Sequence, residues 1–267
     1  MKQKLIRWLP DRLFLFLKGY GWYGNFKSWQ AAKEASTGYD AENIVNQVKA
    51  SLLKVKKGEA VYERDSVLFD KIEYSWELLS AFMWIAAQNQ GCLHVMDFGG
   101  SLGSTYYQNR IFLDPLTEVS WNIVEQSNYV KVGIESFQDD RLHFYTSLKD
   151  CFSKEKINAI LFSSVLQYLE FPYEILKEAM DYQPEYIVID RTGFVLNRME
   201  EERICVQKVP ESIYRATYPC RFFNEKKFIS YVEANNYSLI FDFKALDCVN
   251  IRRSEFKGFV FKRRDHA

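Results

Sequence analysis

No two cysteines in this chain are spaced as C-x-x-C. The five, Cys92, Cys151, Cys205, Cys220 and Cys248, are scattered, which argues against a zinc motif and fits a reducing cytoplasm. Histidine is scarce, with three in 267 residues. They lie far apart, so no histidine-rich metal site is expected and the metal expectation is none. Neither sign of charge is in excess, 35 Lys plus Arg standing against 35 Asp plus Glu. Nothing therefore pulls the whole molecule toward nucleic acid, and no nucleic-acid partner is expected. A spanning helix would need about 20 consecutive apolar residues, and no such run is present. Low-complexity tracts and Pro/Gly-rich hinges are missing too.

The first residues, MKQKLIRWLPDRLFLFLKGYGWYG, lack the long uncharged core and small-residue cleavage site of a signal peptide. They mix Lys2, Lys4, Arg7, Arg12 and Lys18 with Leu5, Ile6, Trp8, Leu9 and the run Leu13 to Leu17. Pro10 divides the segment. A short basic amphipathic helix packed on the protein's own body is expected. Peripheral contact of residues 1–18 with the inner membrane face stays open as the other reading of an otherwise cytoplasmic protein.

What the chain does have is aromatic residues, 16%, and a change of texture near Gly91. Before it, the pattern is helical. Ile44, Val48, Leu52 and Val55 follow Asp40 as N-cap, with Gly58 as a stop. Leu68, Ile72, Trp76, Leu79, Met83 and Ala86 suggest a second helix capped by Asp65 or Ser66. Residues 1–90 thus read as a helical extension or lid, and 91–267 as the main domain. From Gly91 onward, strand-like runs (CLHVMDF, WNIVEQ, RLHFYTS, INAILF, EYIVIDRT) alternate with helices and end in a strand pair, YSLIFDF and FKGFVFKR. Strands separated by helices imply crossover connections and a mainly parallel α/β sheet. Such sheets bind ligands at the carboxyl ends of the strands, where the order reverses.

The glycine turn after the first strand of that series, DFGGSLG, stands at the expected position. A dinucleotide fingerprint G-x-G-x-x-G ending at Gly103 would put its first glycine on Phe98, and a phosphate loop lacks its Gly-Lys-Ser/Thr. The turn instead resembles the first motif of class I S-adenosylmethionine-dependent methyltransferases, acid-x-Gly-x-Gly-x-Gly, read here as Asp97, Phe98, Gly99, Gly100, Ser101, Leu102 and Gly103. Ser101 replaces the middle glycine. The resemblance implies a seven-stranded Rossmann-like sheet with helices on both faces and S-adenosylmethionine as cofactor. The turn backbone would lie against the methionine portion and Asp97 would orient its amino group. Glu125, ending the second strand, would accept from both ribose hydroxyls, since a carboxylate suits a diol. That acid would equally serve a nicotinamide dinucleotide. Gln126 would lie along the adenine edge. In LFSSVLQYLEFP, Ser163 and Ser164 would contact the cofactor, and Gln167 stands where the family often has histidine. Asp190 and Arg191 end the fifth strand at the mouth of the same cleft. Asp190, or Tyr168, is the candidate to take the proton of a hydroxyl acceptor. Arg64 would fold over the cleft to pair with the cofactor carboxylate or an acidic substrate, against the alternative that Glu63, Arg64 and Asp65 form an exposed charge cluster with a cap.

GWYGNFKSWQAAKEASTGYD, KGEAVYERDSVLFD, IDRT and YPCRFFNE together resemble, from about Gly21 to about Phe261, an uncharacterised family of bacterial methyltransferases associated with surface-polysaccharide biosynthesis. This implies a small-molecule or glycan-precursor acceptor, methylated on oxygen. Tyr20, Trp22, Tyr23, Trp29 and Tyr39 are expected in core or lid packing. Two other readings stand beside it: a cofactor-binding scaffold without turnover, prompted by Ser101 and Gln167, and a NAD-dependent nucleotide-sugar oxidoreductase or epimerase.

Overall fold

The computed structural model describes residues 19–38, 41–64, 66–196, 201–210 and 216–264. The expected N-terminal helix and the caps at Asp40 and Asp65 lie outside them. Five parallel strands make the centre: β4 (Cys92–Phe98), β5 (Glu118–Val124), β6 (Leu142–Tyr145), β7 (Ala159–Ser163) and β8 (Tyr186–Val195). They are ordered β6-β5-β4-β7-β8. The order reverses between β4 and β7, which opens a crevice above their carboxyl ends. β12 (Ser254–Arg263) pairs antiparallel with β8, and β11 (Tyr237–Lys244) with β12. These seven strands are the mainly parallel sheet expected from the resemblance.

Alternation along each strand builds two cores, because successive side chains point to opposite faces. Ala159 and Leu161 join one cluster, while Ile160 and Phe162 join the other. The first cluster is covered by α2 (Ala41–Lys56), α3 (Trp76–Gln88), α4 (Ser104–Leu113) and α5 (Ser127–Ser136). The second lies under α6 (Leu148–Lys154), α7 (Pro172–Asp181) and α8 (Glu225–Ala234). Near-continuous apolar strands follow from burial on both faces.

The sheet then gains three strands that sequence patterning did not separate. β1 (Gly21–Phe26), β9 (Arg203–Lys208) and β10 (Thr217–Asn224) form an antiparallel annex. It joins the main sheet where Phe223 and Asn224 run parallel to Phe194 and Val195, beyond the end of β7. The annex carries its own small core, with Cys205, Cys220, Phe222 and Phe256 buried and Trp22 packed on them. Asn250 fixes the start of β1. It accepts from the Trp22 amide at 2.9 Å and donates to the Trp22 carbonyl at 3.0 Å. A Cβ on Gly21 would fall 2.8 Å from the Asn250 Oδ1, so the residue before Trp22 has to be glycine.

The N-terminal portion holds α1 (Trp29–Glu34), α2 and α3, and strands besides. The helix expected from Asp65 or Ser66 onward begins only at Trp76, with Ser75 at the N-cap position. Tyr62–Arg64 (β2) and Val67–Phe69 (β3) instead form a hairpin. Leu68 and Trp76, expected on the buried helix face, are exposed. The helical spacing was fortuitous there: β-branched and aromatic residues favour the hairpin, and burial of Glu63 fixes it, as described next.

Candidate functional site

The crevice above β4 and β7 opens into a cavity of about 850 Å³, within the range of roughly 300–1,000 Å³ typical of small-molecule sites. Asp97, Gly99, Gly100, Ser101, Glu125, Gln126, Ser163, Ser164, Tyr168, Asp190, Arg191 and Arg64 all line it. Gly103 does not. It is buried at φ 102° as the N-cap of α4, and a Cβ there would approach Leu142 and Ile123. Its role is helix–strand packing beneath the turn.

The turn is built around the Asp97 carboxylate. Asp97 is buried and accepts a hydrogen bond from Trp121 Nε1 at 3.1 Å. A Cβ on Gly100 would lie 2.5 Å from the Asp97 carboxyl carbon, so only glycine lets the turn pass over this acid. Gly99 has φ 72°, and a Cβ there would meet Val165 Cγ2 at 2.5 Å. Burial raises the Asp97 pKa to about 7, the Trp121 bond opposes the rise, and the negative charges of Glu125 and Asp190 add to it.

Glu125 closes the turn from β5. Its carboxylate accepts from the Gln126 amide at 2.7 Å and from the backbone N–H of Ser101. Burial raises its pKa, and these two amides hold it down. Ser101 itself takes φ 56°, the left-handed backbone that the motif's middle glycine would adopt without strain.

Ser101 is not alone. Ser66, Ser101, Ser164 and Arg191 are four of the eight non-glycine residues with positive φ among those described, and all four line this cavity. Each such residue costs on the order of 1–2 kcal/mol, and strain of this kind concentrates at functional sites. Gln167 supports two of them. Buried, it donates from Nε2 to Ser164 Oγ at 3.3 Å and to the Arg191 carbonyl at 3.0 Å. At the position where the resemblance places histidine, this chain has a backbone prop.

Asp190 lies in the middle of β8, at its last pairing with β7, and the strand continues to Val195 instead of ending there. Its Oδ2 accepts from the Ser163 hydroxyl at 2.7 Å, and its Oδ1 has no partner among the described residues. Burial raises its pKa to about 6. The Arg191 charge and the Ser163 bond oppose the rise, and Asp247 adds to it. Arg191 is held in a two-pronged pair with Asp247, Nε to Oδ2 at 2.8 Å and Nη2 to Oδ1 at 3.3 Å. The guanidinium holds Asp247 below the ordinary carboxylate range despite its burial, with help from Arg64. Tyr168 donates to Gln207 Oε1 at 2.7 Å and stacks edge-on against Tyr218. Gln207, Tyr218 and Asp247 are cavity residues that sequence reasoning did not assign to the site, and Trp22, expected in core or lid packing, lines it as well.

The β2–β3 hairpin roofs the turn. Glu63 is buried, not part of an exposed charge cluster. Its Oε1 accepts from the Ser66 amide at 2.6 Å and its Oε2 from the Ser104 hydroxyl at 2.5 Å. Because Ser104 opens α4, this acid also sits near a helix N-terminus, where a negative charge is favoured. Arg64, beside it, lies over the Phe69 ring at 5.7 Å and faces Asp247.

No family model matches this chain, and no curated protein matches it. Solved structures similar to it include the N-terminal domain of EvdMO1 in the presence of SAH and D-fucose. That domain shows 13% identity over 85% of this chain and 98% of its own, with a TM-score of 0.49. Magnesium protoporphyrin IX methyltransferase (ChlM) from Synechocystis PCC 6803 with bound SAM shows 11% identity over 85% and 99%, TM-score 0.47. The 1,6-didemethyltoxoflavin-N1-methyltransferase of Burkholderia thailandensis shows 10% over 85% and 92%, TM-score 0.43.

Proposed function

We propose that this protein is an S-adenosylmethionine-dependent methyltransferase that methylates an oxygen of a carbohydrate or surface-polysaccharide precursor. The observation that carries the reading is the turn itself. A buried carboxylate is crossed by a glycine that has no room for a Cβ, and an acid from the neighbouring strand is tied to the same turn, at the sheet's switch point.

The residues present fit the cofactor. Asp97 is placed to accept from an amino group, Glu125 to accept from a ribose diol, and Gln126 to lie along a base. Ser163 and Ser164 bring hydroxyls from the end of β7, and Arg64 brings a cation from the hairpin for a carboxylate. The bound sulfonium supplies an electrophilic methyl group, so the protein's task is alignment and exclusion of water. Beside Ser163, Asp190 has an oxygen with no partner among the described residues and a pKa of about 6. It is largely ionised at pH 7 and can take a hydroxyl proton. Tyr168 steers that hydroxyl from its bond to Gln207, and Arg191, braced by Asp247, fixes the backbone that carries Asp190. The carbohydrate acceptor rests on the sequence resemblance. It is supported by the polar and aromatic character of the annex wall, where Gln207, Tyr218 and Trp22 face the cavity.

Calorimetry with S-adenosylmethionine, its demethylated product and NAD tests the cofactor assignment. Saturable one-to-one binding of the first two is expected. No affinity for either, or tighter binding of NAD, overturns the reading. If cofactor binds but no methyl group reaches any of a panel of nucleotide- and lipid-linked sugars, the carbohydrate assignment fails while the cofactor assignment stands.

A further inference from the structure

At the amino-terminal ends of β4 and β5, opposite the cavity, three metal-ligand side chains meet. Cys92 and His94 are two residues apart on β4, so they share one face. Glu118, the first residue of β5, is the register partner of Cys92 and brings its carboxylate to the same face. One donor atom from each, a sulfur, an imidazole nitrogen and a carboxylate oxygen, all lie within 4.8 Å of one another. His94 Nε2 and Glu118 Oε1 are 3.9 Å apart.

We propose that Cys92, His94 and Glu118 form a zinc-binding site that staples β4 to β5. The ligand chemistry selects the ion: thiolate, imidazole and carboxylate together suit Zn²⁺, whereas Mg²⁺ and Ca²⁺ want oxygen alone. The geometry is close to what binding requires. With ordinary Zn–S, Zn–N and Zn–O lengths, tetrahedral donors stand roughly 3.4–3.6 Å apart. The donors have to draw together by up to about 1 Å, and Glu118, whose side chain is 66% exposed, has room to move.

The other two ligands are held on a clamped backbone. Asn158 accepts from the His94 amide at 2.9 Å, donates from its own amide to the His94 carbonyl at 3.0 Å, and donates from Nδ2 to the Cys92 carbonyl at 3.2 Å. Rigid backbone under two ligands and a mobile third allow the ion to enter without remodelling the sheet. On binding, the Cys92 thiol gives its proton to solvent and the thiolate joins the metal. Water completes the fourth position. Asp97 lies three residues beyond His94 and five beyond Cys92 on β4, about 10 and 17 Å away at the strand rise, so the site stands apart from the cavity.

The test uses the full chain, stripped with chelator and titrated with Co²⁺ as a visible stand-in, then with Zn²⁺. One equivalent of Co²⁺ should give a sulfur-to-metal charge-transfer band that one equivalent of Zn²⁺ removes, and Zn²⁺ should raise the melting temperature. C92S should abolish the band, and E118Q should weaken affinity by about tenfold or more. C248S should leave both unchanged, because Cys248 is the exposed thiol elsewhere in the chain. Should C92S fold poorly, E118Q carries the result alone, since so exposed a side chain can be changed without loss of the fold. Absence of a saturable band in the parent protein, survival of the band in C92S, or unchanged affinity in E118Q overturns the proposal.

Discussion

The cavity has two walls of different construction. The inner wall is a short stretch of chain, Asp97 to Ser101, joined by Glu125, Ser163 and Ser164 at strand ends and by Asp190 of β8 beside Ser163. The outer wall is assembled from the β2–β3 hairpin, the annex and the Arg191–Asp247 pair, residues separated by up to 234 positions (Trp22 to Phe256). The inner wall is rigid by covalent proximity and burial. The outer wall is held by single side-chain bridges such as Glu63 to Ser104 and Tyr168 to Gln207. A cofactor common to many reactions asks for the first kind of surface, and an acceptor peculiar to one reaction is served by the second.

Substitutions in the two walls should therefore separate. The largest effect is expected from Gly100→Val, which drives the new side chain into the Asp97 carboxylate. Calorimetric affinity for the demethylated cofactor should fall beyond detection while Tyr218→Phe, on the outer wall, leaves it within about twofold. Equal losses in both variants would erase the distinction. Glu125→Ala would remove the charge-assisted bonds proposed to the ribose. By the usual worth of such bonds, about 1.5–3 kcal/mol, affinity should drop roughly 10- to 100-fold.

The third test is pH. Asp97 is raised to about 7 by burial, and in the proposed complex its ionised form is the one that attracts the cofactor's cationic amino group. Cofactor affinity should therefore fall by up to about tenfold per unit as pH drops below 7, and Asp97→Asn should flatten that profile. The same shift has the opposite consequence for stability of the ligand-free chain. The native carboxyl holds its proton up to about 7, whereas its ordinary value is 3.8. Rising pH thus removes stability progressively between about pH 4 and 7. Denaturant midpoints across that range should decline, and Asp97→Asn should decline less. Glu63→Gln, which loosens the roof, should raise the cofactor KM several-fold with a modest drop in melting temperature. The smallest effect is expected of Ser101→Gly, which relieves a left-handed serine and should stabilise by about 0.5–1 kcal/mol in urea titrations.

The contrast between the walls also governs what could be read in the sequence. The turn, Glu125 and the serine pair were legible because they lie at strand ends, which converge in a doubly wound sheet. Asp190 joins them where β7 stops pairing with β8, although β8 itself runs on to Val195. Gly103 was taken with its neighbours because the motif includes it, although its Cα faces Leu142 and Ile123. The hairpin was misread as helix because Leu68, Ile72 and Trp76 happen to fall at helical spacing. Nothing local announces that Glu63 will be buried against Ser104. Gln207, Tyr218 and Asp247 come from segments that gain meaning only once the annex is paired. Cys92, His94 and Glu118 were invisible for a related reason: their proximity is a product of parallel register, not of spacing along the chain.

The annex meets the parallel sheet along only two residues of each strand, Phe223 and Asn224 beside Phe194 and Val195. Side chains close the rest of the seam, Trp22 packing on Phe256 and Tyr168 donating to Gln207. Amide protons of β9 and β10 should exchange with deuterium through openings that leave β4 and β5 protected, and a bound acceptor should slow the first set without touching the second.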